Sequence, residues 1–155
     1  MITLNEYLRK YKNITLPISG GWGFDQESAC VIDVTVPSDS PVLPHDVVPL
    51  EYVLIKEIIH FDLIVSRGED ASYAGIEWSL LEQELIHSGD RKFDRLRFEV
   101  TAYPARALAL LLEEIEGPDG RASPSFNEQD AIARLNALKW TGRRDFWFDI
   151  TSKFL

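Results

Sequence analysis

"YAGIEWSLLEQELIHSGDRKFDRLRFEVTAY", Tyr73 to Tyr103, carries two apolar patterns on either side of one short polar turn. In the second half, Leu96, Phe98, Val100 and Ala102 fall two residues apart, with Arg95, Arg97, Glu99 and Thr101 between and beside them. Successive side chains of a strand point to opposite faces, so this half reads as a strand with one apolar and one wet side. The first half begins in phase with Ile76, Trp78 and Leu80 and then shifts to Leu81 and Leu85, a slip that one extra residue in a bulge near Leu80 explains. A helix over Trp78 to Leu85 is the competing reading. With "SGDRK", Ser88 to Lys92, as the turn, the whole stretch predicts a β-hairpin.

Upstream, Thr3 and Glu6 form a capping-box pattern ahead of Leu4, Tyr7, Leu8 and Tyr11, which predicts a helix to about Lys12. Cys30, Ile32, Val34 and Val36 alternate with Val31, Asp33 and Thr35 in a second half-wet strand. Pro37, Pro41, Pro44 and Pro49 mark a loop. "EYVLIKEIIHFDLIV", Glu51 to Val65, has helical spacing at Leu54, Ile55, Ile58 and Ile59 but many β-branched residues, and leans to strand. Downstream, Pro104 opens a helix stopped by Gly117 and Pro118, and Asn127 caps another that ends near Gly142. Asp145 to Thr151 reads as a last strand burying Phe146, Phe148 and Ile150. At 155 residues the chain fits one domain, residues 1–155, and the mixed elements predict an α+β fold: a mainly antiparallel sheet with about three helices packed on one face.

One phrase recurs. "IDVT" at Ile32 to Thr35, "FEVT" at Phe98 to Thr101 and "FDIT" at Phe148 to Thr151 each place an acid and a threonine two residues apart, hence on one strand face. The plain reading is that half-exposed strands put charges and threonines outward. The sharper reading is that Asp33, Glu99 and Asp149 meet on a common outer surface. Like charges directly opposite each other across strands repel, so something positive should stand among them. Arg95 and Arg97 could fill that role, and so could a hard divalent cation. Trp147 shares the face of Asp149 and hints at a docking surface. In "SGGWGFDQES", Ser19 to Ser28, the glycines either carry the chain around Trp22 or let a ligand approach.

Charge narrows the choice of partner. The net charge is -9, and between Asn13 and Ser66 eight acids face one base, Lys56, leaving -7 in that stretch. Such a field repels phosphate backbones and speeds encounter with basic proteins, so no nucleic acid is expected as a partner. The longest aliphatic run, Leu108 to Leu112, is far below the roughly 20 residues a bilayer span needs, and no leader-like start precedes it, so a cytoplasmic chain with no membrane partner is expected. The single cysteine, Cys30, lies on an apolar face and reads as buried and inert. His60, Asp62 and His87 match the letters of an iron site only loosely, and no nucleophile elbow, HExxH or CxxC motif is present.

Two functional expectations follow. The first is a non-catalytic module that holds a basic protein with an acidic face, like an immunity or inhibitor protein by analogy of size and charge only. Its binding residues would be Trp22, Asp33, Glu99, Trp147 and Asp149, with no cofactor. The alternative is a small divalent-metal-dependent hydrolase using Asp33, Glu99 and Asp149.

Overall fold

The computed structural model describes residues 2–35, 47–117 and 127–155. The first helix, α1 (Leu4–Lys12), starts where the sequence places it: the Thr3 hydroxyl accepts from the Glu6 amide at 3.1 Å, and the Glu6 carboxylate accepts from the Thr3 amide at 3.3 Å. Two exposed amides are thereby satisfied. Leu4, Tyr7 and Leu8 are buried, and Asn13 closes the helix in the left-handed region.

Among the described residues five strands form one sheet: β1 (Ile18–Gly20), β2 (Cys30–Ile32), β3 (Tyr73–Ser88), β4 (Arg91–Pro104) and β5 (Trp140–Asp149), in the order β1-β2-β5-β4-β3. β1 and β2 pair antiparallel with Ile18 opposite Ile32, whereas β2 and β5 run parallel, with Cys30 opposite Phe148 and Val31 opposite Asp149. The fold is therefore α+β with a mostly antiparallel but mixed sheet. The hairpin forms as β3 and β4, so the helical alternative for Trp78 to Leu85 is excluded.

The described residues hold four α-helices where the sequence suggested about three. The extra one is α2 (Val47–His60), in the segment that leaned to strand. Its buried positions, Val47, Leu50, Leu54, Ile55, Ile58 and Ile59, repeat at three and four residues. A β-branched residue costs a helix roughly 0.5 kcal/mol, while burying an aliphatic side chain gains about 1.5–3 kcal/mol, so the stripe decides. Pro49 falls in the first turn, where its missing N–H has no partner to lose. A π-helical turn, Phe61–Val65, follows, with the Ser66 amide donating to the Phe61 carbonyl at 2.9 Å. Pro37, Pro41 and Pro44 of the expected loop, with Val36, lie outside the described residues.

The remaining helices are α3 (Ala105–Glu116) and α4 (Glu128–Leu138). Asn127 caps α4 by accepting from the Asp130 amide at 3.1 Å, but the helix stops well before Gly142, because Lys139 turns extended and β5 begins at Trp140. Gly142 belongs to that strand, and a Cβ there would meet the Trp140 ring at 2.5 Å. Among the described residues no helix is long and apolar enough to cross a membrane.

Two compact units divide the chain. The first comprises Met1–Ile59, Leu80–Phe98 and Arg143–Leu155, and packs Tyr7, Leu54, Ile55, Leu96, Phe98, Phe146 and Phe148 into its core. Phe98 meets Phe146 edge to face at 5.8 Å and Tyr52 of α2 at 6.1 Å, which fixes α2 over the apolar side of β4 and β5. The second comprises His60–Ser79 and Glu99–Gly142. There Tyr73 packs on Trp140 at 5.4 Å, and Arg134 of α4 binds Glu114 of α3 at 2.5 Å.

Candidate functional site

The recurring acid-x-Thr phrase resolves into two different structures. Asp33 and Thr35 do not continue a strand, because β2 stops at Ile32. Instead Asp33 Oδ1 accepts from the Thr35 amide at 3.0 Å and from the Thr35 hydroxyl at 2.5 Å. Asp149 repeats this: its Oδ1 accepts from the Thr151 amide at 3.0 Å and the Thr151 hydroxyl at 2.5 Å. An Asp side chain is short enough to bond the backbone two residues on, which closes the strand in a turn. Glu99, one methylene longer, sits within β4 in the second unit and carries the strand through. Asp-x-Thr is thus a strand-ending device, used at the ends of the parallel neighbours β2 and β5.

The first unit gathers the other sequence-derived site residues around those two ends. The Trp147 amide donates to the Gly23 carbonyl at 2.7 Å. Ser152 bridges to the end of β2, its hydroxyl donating to the Ile32 carbonyl at 2.9 Å and accepting from the Val34 amide at 3.0 Å. Trp22 is buried beside Tyr7, ring centroids 5.7 Å apart, and its indole N–H donates to the Ile2 carbonyl at 3.1 Å. Trp147 is half-buried and meets Phe93 edge to face at 6.1 Å. The Trp22 indole is thus turned inward, and the Trp147 indole is partly covered by Phe93.

Asp149 is likewise inward, contrary to the expected outer face: it is 3% exposed, and Arg91 reaches it through Nε at 2.8 Å and through Nη2. Burial works against ionisation at Asp149, but the bonds from Thr151 and Arg91 outweigh it and hold the carboxyl below its ordinary range. Arg95 binds Glu82 and Glu84, each at 2.9 Å, and Arg97 binds Asp145 at 2.8 Å. The two arginines are therefore engaged within the first unit by Glu82, Glu84 and Asp145. Among the described residues no three His, Cys, Asp or Glu side chains come together as a group able to hold a metal ion.

What remains outward is the loop between β1 and β2. Gly21 and Gly23 let it double back: the Gly21 amide donates to the Ala29 carbonyl at 3.1 Å and the Gly23 amide to the Ser28 carbonyl at 2.8 Å. Asp25 Oδ1 accepts from the Ser28 amide at 2.7 Å, and bonds from Ser28, its side chain first, hold the Asp25 carboxyl below its ordinary range. Held in this way, the loop turns Phe24 outward, 43% exposed, with Asp25, Gln26 and Glu27 beside it. Among the described residues no ion pair engages Asp25, Glu27 or Asp33. The sequence signal for this loop is the -7 stretch; nothing local in it separates the outward Phe24 from the buried Trp22.

A second constellation was missed entirely. Glu51 of α2 is wholly buried, and neither of its carboxyl oxygens has a partner in hydrogen-bond geometry. Burial first, and the neighbouring Asp94 second, push its acid up to about 10, with Lys153 pulling the other way. Asp94, 5% exposed, accepts from the Gln83 side-chain Nε2 at 2.8 Å. Cys30 is also wholly buried, and desolvation, with Glu51 as a lesser cause, pushes its thiol up to about 12. This thiol stays protonated and inert. Glu51 lies on the buried stripe of a helix, and only a helical reading of its segment would have shown it inside.

Comparison with protein-family models, with curated proteins and with solved structures finds no match to the chain.

Proposed function

We propose that this protein is a non-catalytic binding module whose acidic loop docks a basic protein partner. The observation that supports the reading is the pairing of an outward aromatic, Phe24, with acids that no arginine or lysine among the described residues neutralises. Arg91, Arg95 and Arg97 of the first unit each meet a carboxylate, whereas the acids of this loop meet no arginine or lysine among the described residues. Aromatic anchors ringed by polar residues dominate binding energy at protein interfaces, and uncompensated charge steers encounter.

The test is capture of partners on immobilised protein, followed by association kinetics of each purified partner over a range of salt. The expected partner is basic, its association slows steeply with salt, and Phe24→Ala combined with Asp25→Asn and Glu27→Gln lowers affinity while leaving the melting temperature near wild type. Neutral or acidic partners, or an association rate indifferent to salt, would overturn the proposal.

A further inference from the structure

We propose that the outer edge of β3, over Leu80–Ser88, accepts an added β-strand from a basic partner; this names a docking mode and rests on the reading that the partner is a basic protein. β3 is the terminal strand of the sheet and 16 residues long, whereas the opposite edge, β1, has only three. An edge offers a row of backbone donors and acceptors, and proteins ordinarily blunt it with short length, proline, bulges or charge. Leu80 to Ser88, "LLEQELIHS", contains neither proline nor glycine. Its side chains are also unusually apolar for a rim: Leu80, Leu81 and Leu85 are 41%, 47% and 46% exposed.

Hydrogen bonds to β4 assign the faces. Glu82 and Glu84 both reach Arg95, so the even positions share the face of that arginine, with Leu80 and Ile86 flanking the two acids. Gln83 reaches the buried Asp94, so the odd positions, with Leu81 and Leu85, share the apolar side. An incoming strand would extend both faces at once, apolar residues beside Leu81 and Leu85 and a long basic residue beside Glu82 and Glu84, two half-exposed carboxylates that share Arg95 between them.

Charge also decides between partners. In a second copy added antiparallel, the register that stacks Leu81 on Leu85 sets Glu82 opposite Glu84 twice, and like charges directly opposite destabilise a sheet. In that leucine-stacking register self-pairing is disfavoured by the same two acids that would welcome lysine or arginine.

The probe is a capped nonapeptide alternating lysine and valine. Its controls are a glutamate–valine counterpart and a lysine–valine peptide interrupted by proline, which keeps the charge and removes strand pairing. Binding is read by fluorescence anisotropy and by amide hydrogen exchange on the wild-type chain. The alternating lysine peptide is expected to bind about tenfold or more tighter than either control and to protect amides within Leu80–Ser88. Glu82→Gln with Glu84→Gln should weaken it about tenfold. Absence of binding, equal binding by the proline peptide, or protection elsewhere overturns strand addition. If the lysine peptides protect Gly21–Ala29 instead, the basic-partner reading survives without this edge; if they bind no better than the glutamate peptide at low salt, that reading fails as well.

Discussion

Glu51 of α2 lies wholly buried beside Asp94 of β4, two acids brought together under the helix with neither Glu51 oxygen in a completed hydrogen bond. Burial and Asp94 raise the Glu51 acid from its ordinary 4.5 to about 10, so the folded chain binds a proton there that the unfolded chain releases above 4.5. Stability that is intact below 4.5 is therefore lost as pH rises toward about 10, at a slope of at most ~1.4 kcal/mol per pH unit. Glu51→Gln keeps the shape without the titration. Denaturant unfolding at pH 5.5, 7.0 and 8.5 should show the variant gaining on wild type by about 2–4 kcal/mol across that span. A difference that does not change with pH would show that Glu51 is ionised in the fold.

How far the chain could be read in advance follows from where local and tertiary forces agree. The capping box of Thr3 and Glu6 and the alternation of Leu96, Phe98 and Val100 are local patterns that the packing reinforces, and both elements formed as expected. Glu51 to Val65 failed because β-branched content and helical spacing disagree, and only the burial of Leu54, Ile55, Ile58 and Ile59 settles it. That error also hid Glu51, since a residue on a misread element has no assigned side. The repeated acid and threonine were visible, but their meaning hinges on one methylene, which lets Asp and not Glu close the chain on itself.

The twin turns separate by burial. Thr151 Oγ1 donates to Asp149 and also accepts from the Lys92 amide at 3.0 Å, so Thr151→Val leaves a part-buried N–H without its partner. The expected cost is about 1–3 kcal/mol. Thr35→Val removes the equivalent hydroxyl from an exposed turn, where water replaces it, and should leave the denaturation midpoint almost unchanged. Equal effects in parallel unfolding experiments would show that the turn itself, rather than its burial, sets the cost.

Gly23 holds the loop to β5 at φ +87°, and a Cβ there would stand 3.0 Å from the Trp147 carbonyl oxygen, a backbone atom that cannot swing aside. Gly68 has φ +73° with nothing within 4 Å of the added atom. Both Gly→Ala changes carry the conformational penalty of roughly 1 kcal/mol, but only Gly23→Ala adds a clash. Thermal unfolding should rank Gly23→Ala well below Gly68→Ala. Only Gly23→Ala should loosen amide protection at Trp147, whose N–H donates to the Gly23 carbonyl at 2.7 Å.

Arg91 is the partner that lets Asp149 stay charged while nearly enclosed: the arginine is largely solvent-exposed and the carboxylate 5% exposed. Arg91→Met retains the aliphatic stem and removes the guanidinium, which stands over the Phe93 ring as well as against Asp149. Asp149 keeps its two bonds from Thr151, so the loss should be partial, about 1–3 kcal/mol at pH 7. The acid side gives the sharper reading. Asp149 is held below its ordinary 3.8, so its contribution is present above that value and fades as pH falls through the lowered one. Without Arg91 the carboxyl protonates at higher pH. Asp149 followed by carbon-detected NMR should therefore titrate upward in Arg91→Met, and an unchanged titration would mean that Thr151 alone keeps the acid ionised.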